Sequence, residues 1–261
     1  MSTSLTQIMS RTQALVEQRK AHADLAELDR RAESHTPRGF AAALRAAAKT
    51  RPVIIAECKK ASPSKGILRE QYSPEQIALE YESAGAAAIS VLTEPEFFQG
   101  SLDHLSAVSQ AVQIPVLRKD FMLDEFQIIE ARAAGADAIL LIVAALEDDQ
   151  LRDLKHAAHL AQLDVLCEVH SSQELARALD LGFAIIGVNC RNLKTLAVDR
   201  NVHDELAGLM PFDILRVAES GISSAADIQR LRGIGYDAFL VGEALVKQPS
   251  PGAALADLIG G

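Results

Sequence analysis

Residues 57–66 combine charged side chains with a turn-forming sequence, directly after an apolar run. The run at 53–56 is apolar and largely β-branched, which predicts a buried strand. Side chains alternate along a strand, so Glu57 and Lys59 point to one face and Cys58 points to the other. A carboxylate and an ammonium on one face can shift each other's pKa and meet a substrate. The same residues also fit a strand that frays into a solvated basic loop.

Apolar runs and helix-forming segments alternate strictly from residue 53 onward. The predicted strands are 53–58, 88–93, 115–119, 138–143, 164–169, 184–189, 214–219 and 238–242. The predicted helices between and after them are 74–84, 102–111, 124–134, 147–161, 172–181, 203–209, 223–232 and 251–259. Eight strands that are separated by helices require a parallel sheet.

A weak internal repeat favours closure of this sheet into a barrel. Gly85, Gly135, Gly182 and Gly235 each end a predicted helix and precede an apolar strand, at intervals of 50, 47 and 53 residues. Each interval contains two strand–helix units, so the repeat falls before strands 2, 4, 6 and 8. A closed (β/α)₈ barrel, or TIM barrel, accommodates this fourfold recurrence, whereas an open doubly wound sheet does not need it.

Polar residues stand at the carboxyl ends of most predicted strands, where a (β/α)₈ barrel builds its active site. They are Glu57 and Lys59, Thr93 and Glu94, Arg118 to Asp120, Glu168 and His170, Asn189 and Arg191, Glu219 and Ser220, and Glu243. Burying such groups costs several kcal/mol each unless they are paired. Their placement after apolar strands therefore predicts a functional site rather than a purely structural barrel.

The lysines and carboxylates in this set suit acid and base catalysis. A partly buried lysine near like charges has a lowered pKa, which suits a general acid, and we expect this of the site lysines. A glutamate in a dry pocket has a raised pKa, which suits a base, and we expect this of the site carboxylates. His170 follows Glu168 at strand spacing and is a candidate for the pocket wall.

Glycine-bearing turns after strands 7 and 8 indicate a phosphate site. Gly221 and Gly242 lie where barrels often bind phosphate on backbone N–H groups. Either glycine could equally serve a positive φ alone. Phe97, Phe98 and Phe121 fit packing at the barrel rim or stacking on an aromatic substrate ring.

Residues 1–50 form an extension without a strand, and residues 51–261 form the predicted barrel. Apolar residues at helical spacing predict one or two amphipathic helices within 5–34 and another helix over 40–49. These helices must dock on the barrel, because their apolar faces need a partner surface.

Composition excludes several classes of function. A net charge of −9 argues against nonspecific binding to nucleic acid or anionic membranes. No apolar run approaches the roughly 20 residues of a membrane span, and the amino-terminal residues lack signal-peptide features. Three cysteines without CxxC spacing predict reduced thiols in a cytoplasmic protein. No metal-ligand, GxGxxG or GxxxxGK[ST] motif occurs, so we expect no metal and no nucleotide bound by those routes.

The chain resembles the indole-3-glycerol phosphate synthase family over essentially its whole length. The most specific motif is Glu-Cys-Lys-Lys-Ala-Ser-Pro-Ser-Lys-Gly at 57–66. Further similar segments are 37–40, 90–94, 97–102, 117–121, 168–170, 187–193, 219–222 and 241–245. The resemblance implies a (β/α)₈ barrel that needs no cofactor. It also implies a reaction of tryptophan biosynthesis, in which 1-(2-carboxyphenylamino)-1-deoxyribulose 5-phosphate closes to indole-3-glycerol phosphate with loss of CO₂ and water.

The resemblance also implies residue roles. Lys119 would be the general acid at the ketone oxygen, Glu168 would manage protons in the dehydration, and Lys59 would hold an anionic group and share proton transfer. The implied substrate-binding residues are Glu57, Ser62, Phe98, Phe121, Asn189, Arg191, Glu219 and Ser220. The implied phosphate-binding positions are Lys59, Gly221, Gly242 and Glu243. A monomer or weak dimer, with possible association with other tryptophan-pathway enzymes, is expected.

Two other interpretations fit the residues less completely. A Schiff-base aldolase or a sugar-phosphate isomerase could use Lys119 on the same barrel, since a strand lysine suits an imine. A barrel that only binds phosphate metabolites or a partner would not need Lys119, Glu168 and Lys59 together, because binding alone requires neither an acid nor a base.

Overall fold

The computed structural model describes residues 5–193 and 195–260. Residues 1–4 of the predicted extension, and residues 194 and 261 of the predicted barrel, lie outside the described residues. Eight parallel strands form a closed barrel, in which the first strand pairs with the last through Val53 and Ala238. The strands are β1 Val53–Cys58, β2 Ala88–Leu92, β3 Val116–Lys119, β4 Ala138–Ile142, β5 Asp164–Val169, β6 Ile185–Asn189, β7 Leu215–Glu219 and β8 Ala238–Val241.

Helices connect the strands and surround the barrel. The helices are α1 Leu5–His22, α2 Leu25–Ser34, α3 Phe40–Ala48, α4 Pro74–Ser83, α5 Leu102–Ala111, α6 Glu125–Ala133, α7 Asp148–Leu160, α8 Ser172–Asp180, α9 Asn201–Ala207, α10 Ala225–Gly233, α11 Glu243–Val246 and α12 Pro251–Gly260. The predicted (β/α)₈ barrel with amino-terminal helices is confirmed. Strand bounds agree within one residue, and helix bounds within two.

Three short elements were not predicted. A hairpin of Ala61–Ser62 and Gly66–Ile67 follows β1, a 3₁₀ turn at Val143–Ala145 follows β4, and the four-residue helix α11 follows β8. All three follow the carboxyl end of a strand. They are too short to leave a hydrophobic period in the sequence, so the periodicity of 3.6 or 2 residues could not reveal them.

Strand alternation divides the apolar residues into two cores. Ile54, Ala56 and Ile89 face outward and pack under the surrounding helices. The inward set fills the barrel, and it includes Val53, Ile55, Leu117, Leu140, Leu166, Leu215, Val217 and Leu240. Because the barrel interior is a packed core, only its carboxyl end is left for a binding cavity.

The three amino-terminal helices reach both ends of the barrel. In α1, Ile8 belongs to the inward core and approaches it from the carboxyl ends of the strands. In α3, Phe40 and Leu44 are fully buried against the same core at the opposite end. The Ala41 N–H there donates a 2.8 Å hydrogen bond to Asp164 at the start of β5. The inward core is therefore capped at both ends by this extension.

The four repeated glycines each lie between a helix and a strand, as predicted, and all adopt a positive φ. Their φ values are 98° at Gly85, 87° at Gly135, 69° at Gly182 and 107° at Gly235. The carbonyl of each glycine accepts a hydrogen bond, from Arg51, Arg38, Lys155 and Arg216 respectively. The repeat is thus a turn in which a cationic side chain binds the glycine carbonyl just before every second strand.

No helix among the described residues is long and apolar enough to cross a membrane.

Candidate active site

A cavity of about 420 Å³ opens at the carboxyl ends of the strands. Every residue that the sequence assigned to the site contributes to its wall: Glu57, Lys59, Ser62, Phe98, Lys119, Phe121, Glu168, Asn189, Arg191, Glu219, Ser220, Gly221, Gly242 and Glu243. Five other candidates do not line the cavity: Thr93, Glu94, Phe97, Arg118 and His170, of which His170 lies behind Glu168. The barrel thus brings together side chains that are up to 186 positions apart in the printed sequence.

Lys119 lies between two buried carboxylates. Its Nζ is 3.2 Å from Oε2 of Glu168 and 3.5 Å from Oε2 of Glu219. Burial alone would lower the pKa of Lys119, but attraction by Glu168, Glu219 and Glu57 outweighs burial and raises it. The expectation of a lowered lysine pKa is therefore wrong, because carboxylates rather than cations surround the ammonium. The raised pKa favours the charged form of Lys119, which holds the proton that a general acid donates.

Glu168 is held in its ionised form. Burial alone would raise its pKa, but the charges of Lys119 and His170 outweigh burial and hold the pKa well below its usual range. The expectation of a raised pKa for the site carboxylates is thus wrong for Glu168. A carboxylate in this state can accept a proton from substrate, and it can pass that proton to Nζ of Lys119, 3.2 Å away, once Lys119 has donated its own.

Glu219 is the carboxylate that does show a raised pKa. Burial raises the pKa of Glu219 to about 8 despite attraction by Lys119, and repulsion by Glu168 adds to the effect. Both oxygens of Glu219 are buried without a hydrogen-bond partner among the described residues. The raised pKa favours the protonated form of Glu219, which lines the cavity and in that form can donate a hydrogen bond.

Glycine on β6 makes room for this carboxylate. A Cβ atom at Gly187 would overlap Oε1 of Glu219 and approach Cδ1 of Leu166 to 3.2 Å. Gly187 is not a cavity-wall residue, so sequence reasoning on strand ends missed it. Gly187 lies two residues before Asn189 and therefore faces inward with it, and this spacing could have identified Gly187 from the sequence.

Glu57 and Lys59 form an ion pair at the end of β1, as the period of two predicted. Glu57 is almost fully buried, and Lys59 is partly exposed to the cavity. A Cβ atom at Gly242 would overlap Oε1 of Glu57, so this glycine leaves room for the Glu57 side chain. Lys59 therefore has a fixed anionic partner and still presents its ammonium to the cavity.

Aromatic and aliphatic side chains form one wall. The rings of Phe98 and Phe121 are 6.3 Å apart between centroids and tilted by 41°. Leu5 and Ile8 of α1 add to this wall, and sequence reasoning did not assign them. The amphipathic pattern of α1 showed only that it must dock, because a docking position depends on the folded barrel. The resulting apolar face suits a flat aromatic ring.

Another part of the cavity wall is formed by backbone around glycines and by cationic side chains. Ser220 and Gly221 follow β7 with φ values of 66° and 68°, and Gly242 precedes α11. Arg191 lines the same part of the cavity, and its Nη1 donates 3.1 Å to the carbonyl of Leu196. The Glu243 carboxylate is occupied by Lys247 at 2.6 Å, so only the Glu243 backbone is suited to an anion.

Two polar residues complete the wall. Oδ1 of Asn189 accepts a 3.0 Å hydrogen bond from the backbone N–H of Arg191, which fixes the amide at the end of β6. Ser62 lies in the hairpin after β1, and its buried hydroxyl has no partner among the described residues.

Within 5–193 and 195–260, no three His, Cys, Asp or Glu side chains are grouped so that they could hold a metal ion.

Comparison with known proteins agrees with the resemblance. The family model described as indole-3-glycerol phosphate synthase matches residues 5–258. Indole-3-glycerol phosphate synthase from Koribacter versatilis (strain Ellin345) is 55% identical over 260 residues, which is 100% of both chains. The enzyme of the same name from Rhodospirillum rubrum is 48% identical over 263 residues, again 100% of both chains.

A more distant structure is similar in fold alone. N-acetylmannosamine-6-phosphate 2-epimerase from Clostridium perfringens matches with a TM-score of 0.61 and 16% identity, covering 77% of this chain and 89% of that chain. The whole-length family match and the relatives at 48–55% identity decide the assignment. The chain belongs to the indole-3-glycerol phosphate synthase family.

Proposed function

We propose that Lys119, Glu168 and Lys59 perform the family's reaction in this cavity. The substrate is 1-(2-carboxyphenylamino)-1-deoxyribulose 5-phosphate, and the product is indole-3-glycerol phosphate. The observation that carries the proposal is the position of Lys119, which is charged and held between Glu168 and Glu219 at the centre of the cavity. Acid, base and anion-binding groups all lie in the same cavity wall.

Lys119 acts first as the general acid. The ring carbon that bears the carboxylate attacks the ketone carbon, and Lys119 gives its proton to the ketone oxygen as the new bond forms. Attraction by its carboxylate neighbours, Glu168 foremost, keeps Lys119 charged before each turnover. The carboxylate then leaves as CO₂, and its bonding electrons return to the ring.

Dehydration requires one proton to be added and one to be removed. The hydroxyl leaves as water after it takes a second proton, and the carbon next to the nitrogen loses one proton to form the indole double bond. Glu168 is the ionised group that accepts this proton, and Oε2 of Glu168 can return it to Lys119 at 3.2 Å. Lys59 supplies the remaining proton, so each turnover takes up one proton from solvent.

The walls position the two ends of the substrate. Phe98 and Phe121, with Ile8 of α1, pack against the anthranilate ring. The backbone around Gly221 and Gly242 holds the phosphate, and the positive charges of Lys59 and Arg191 balance the substrate's anionic groups. Glu57 and Asn189 orient Lys59 and the sugar hydroxyls.

Indole fluorescence tests the proposal directly. The full chain with the substrate is expected to give an indole emission that grows with time. Lys119→Ala is expected to lower kcat by about 10²-fold to 10⁴-fold, with KM changed much less. The proposal fails if the wild type makes no product or if Lys119→Ala turns over at a near-normal rate.

An imine mechanism on Lys119 has less support. Imine formation needs a neutral amine, whereas attraction by Glu168, Glu219 and Glu57 raises the pKa of Lys119. Borohydride added during turnover would trap an imine as a covalent adduct on Lys119, and no adduct is expected.

We also propose a cytoplasmic location, supported by three buried free cysteines among the described residues. A monomer or weak dimer, and any association with pathway enzymes, stay predictions.

A further inference from the structure

His170 lies next to the catalytic centre but outside the cavity wall. It follows Glu168 by two residues, at the end of β5, and its side chain is mostly buried. The cavity wall includes Glu168 but not His170, so the imidazole does not reach a bound substrate. Any role of His170 in the reaction must therefore pass through a neighbouring group.

The two oxygens of the Glu168 carboxylate have different partners. Oε2 is 3.2 Å from Nζ of Lys119, on the cavity side. Oε1 forms an ion pair with Nε2 of His170 at 3.2 Å, on the side away from the cavity, although the two atoms are not aligned as a hydrogen bond. A carboxylate with one cationic partner on each side has a defined orientation, because rotation would break both contacts at once.

Glu174 fixes the imidazole in turn. Its Oε2 accepts a 2.8 Å hydrogen bond from the backbone N–H of His170 and lies 3.2 Å from Nδ1 of the same residue. Glu174 is in the first turn of α8, and its own N–H is bound by Ser171. Arg177, the nearest cation along α8, is engaged by Asp148. The imidazole is thus held between two carboxylates.

This arrangement makes His170 a cation. Burial alone would lower the pKa of His170, but the contacts with Glu168 and Glu174 raise it to about 10. The charged groups that face Glu168 are therefore Lys119 from β3, His170 from its own strand and Glu219 from β7. Without the charge of His170, only Lys119 would oppose the cost of burying the Glu168 anion.

We propose that His170, anchored by Glu174, is a positioning residue that keeps Glu168 ionised and aims its Oε2 at Lys119 and the substrate. The inference rests on the proposed function of Glu168 as the proton acceptor. His170→Asn removes the positive charge and shortens the side chain. The Glu168 pKa then rises, and a larger share of the enzyme has Glu168 protonated and inactive at low pH.

The test is the pH dependence of turnover of the full chain, followed by indole fluorescence. His170→Asn is expected to lower kcat at neutral pH by about tenfold, with KM within about twofold of wild type. The acid limb of the profile is expected about one pH unit higher than in wild type. Glu174→Gln should move the limb in the same direction by less. The substrate phosphate titrates equally in every variant, so differences between profiles report the enzyme.

Matched controls separate this role from a structural one. His159→Asn changes an exposed histidine on α7 and is expected to leave kcat and the acid limb unchanged. His170→Gln, which preserves more of the side-chain length, is measured beside His170→Asn as a second variant. A wild-type kcat together with an acid limb at the wild-type position in every folded variant of His170 and Glu174 would overturn the inference. A wild type without indole product would instead overturn the proposed function.

Discussion

Glu219 is a site carboxylate whose protonation changes near physiological pH. With a pKa raised to about 8, it is neutral below that pH and anionic above it. The neutral form can donate a hydrogen bond into the cavity, whereas the anion repels the substrate's carboxylate and phosphate. Binding of substrate should therefore weaken as the pH rises through 8.

A pH profile of kcat/KM checks this behaviour of Glu219. The wild type is expected to show a basic limb near pH 8, where Glu219 loses its proton. Glu219→Gln keeps a neutral side chain of similar shape at every pH, so its profile should lack that limb. If the profile of Glu219→Gln kept a basic limb at the same pH as the wild type, the titration would belong to another group.

Gly187 provides the space that the Glu219 carboxylate occupies. A methyl group in Gly187→Ala overlaps Oε1 of Glu219, so the carboxylate must turn away from its position beside Lys119. A displacement of about 1 Å at a catalytic group can cost roughly 10²-fold in rate, and we expect a loss of that order in kcat. Gly208→Ala is the matched control, because a Cβ atom there meets nothing within 4 Å. A normal kcat in a folded Gly187→Ala variant would contradict the prediction.

Among the connecting segments, the loop after β2 is held by a single buried side chain. Glu94 accepts hydrogen bonds from the backbone N–H groups of Glu96, Phe97 and Phe98, at 3.0, 2.7 and 3.0 Å. These bonds fold the loop so that Phe98 reaches the cavity. The carboxylate thus orders an aromatic wall residue without contacting the cavity itself.

Replacing Glu94 should therefore affect binding more than chemistry. Glu94→Ala leaves three N–H groups without their acceptor, and the loop loses its fixed shape. We expect KM to rise by about tenfold while kcat falls by less, and the unfolding free energy to drop by about 1–3 kcal/mol. Steady-state kinetics and urea unfolding measure both effects, with the exposed Glu205→Ala as control. Equal losses in kcat and kcat/KM would place Glu94 in the chemistry instead.

The elements were predictable, and the charge states were not. Apolar runs and glycine turns identified all eight strands, and the fold rule then gathered their polar ends into one cavity. The pKa of Lys119 depends on its distance to Glu168, which is 49 residues away on another strand. Spacing along one chain contains no such distance, so a lowered lysine pKa was expected where the structure gives a raised one. Gly187 escaped notice for the same reason, because its neighbour Glu219 comes from another strand.

At the scale of the whole molecule, the ion pair of Arg38 with the buried Asp137 is among those that fasten the extension to the barrel. Arg38 precedes α3 and donates to Oδ2 of Asp137 at the start of β4, at 2.8 Å. Its guanidinium also reaches the carbonyls of Ser109, Val112 and Gly135. Asp137 is fully buried, so its negative charge must be compensated by donors such as the Arg38 guanidinium.

Removal of Arg38 should be costly for stability. Arg38→Ala leaves the Asp137 carboxylate buried with fewer donors, and we expect a loss of about 3–5 kcal/mol in unfolding free energy. Arg30→Ala on the exposed side of α2 is the control, with a change within about 0.5 kcal/mol. Urea unfolding distinguishes the two, and a similar small change in both would contradict the prediction.

The same pair gives the molecule a pH-dependent stability. Burial alone would raise the pKa of Asp137, but hydrogen bonds from His35 and Arg38 outweigh burial and lower it. The stabilisation is therefore complete above the unfolded value of about 3.9 and is lost as pH falls toward the folded value. In Arg38→Ala the acid-side loss of stability should be smaller, since the folded carboxylate is less favoured.

The cavity wall draws on residues from Leu5 to Gln248. A ribosome emits the chain from its amino end, so α1 appears long before β8 and the turn after it. Until those last segments are made, the carboxyl end of the barrel is incomplete and the apolar face of α1 lacks part of its packing surface. That face then stays exposed to solvent or contacts other apolar surface. A chain that has been made only as far as β7 therefore lacks the part of the cavity wall that follows β8, and we expect activity only after residue 248 has been made.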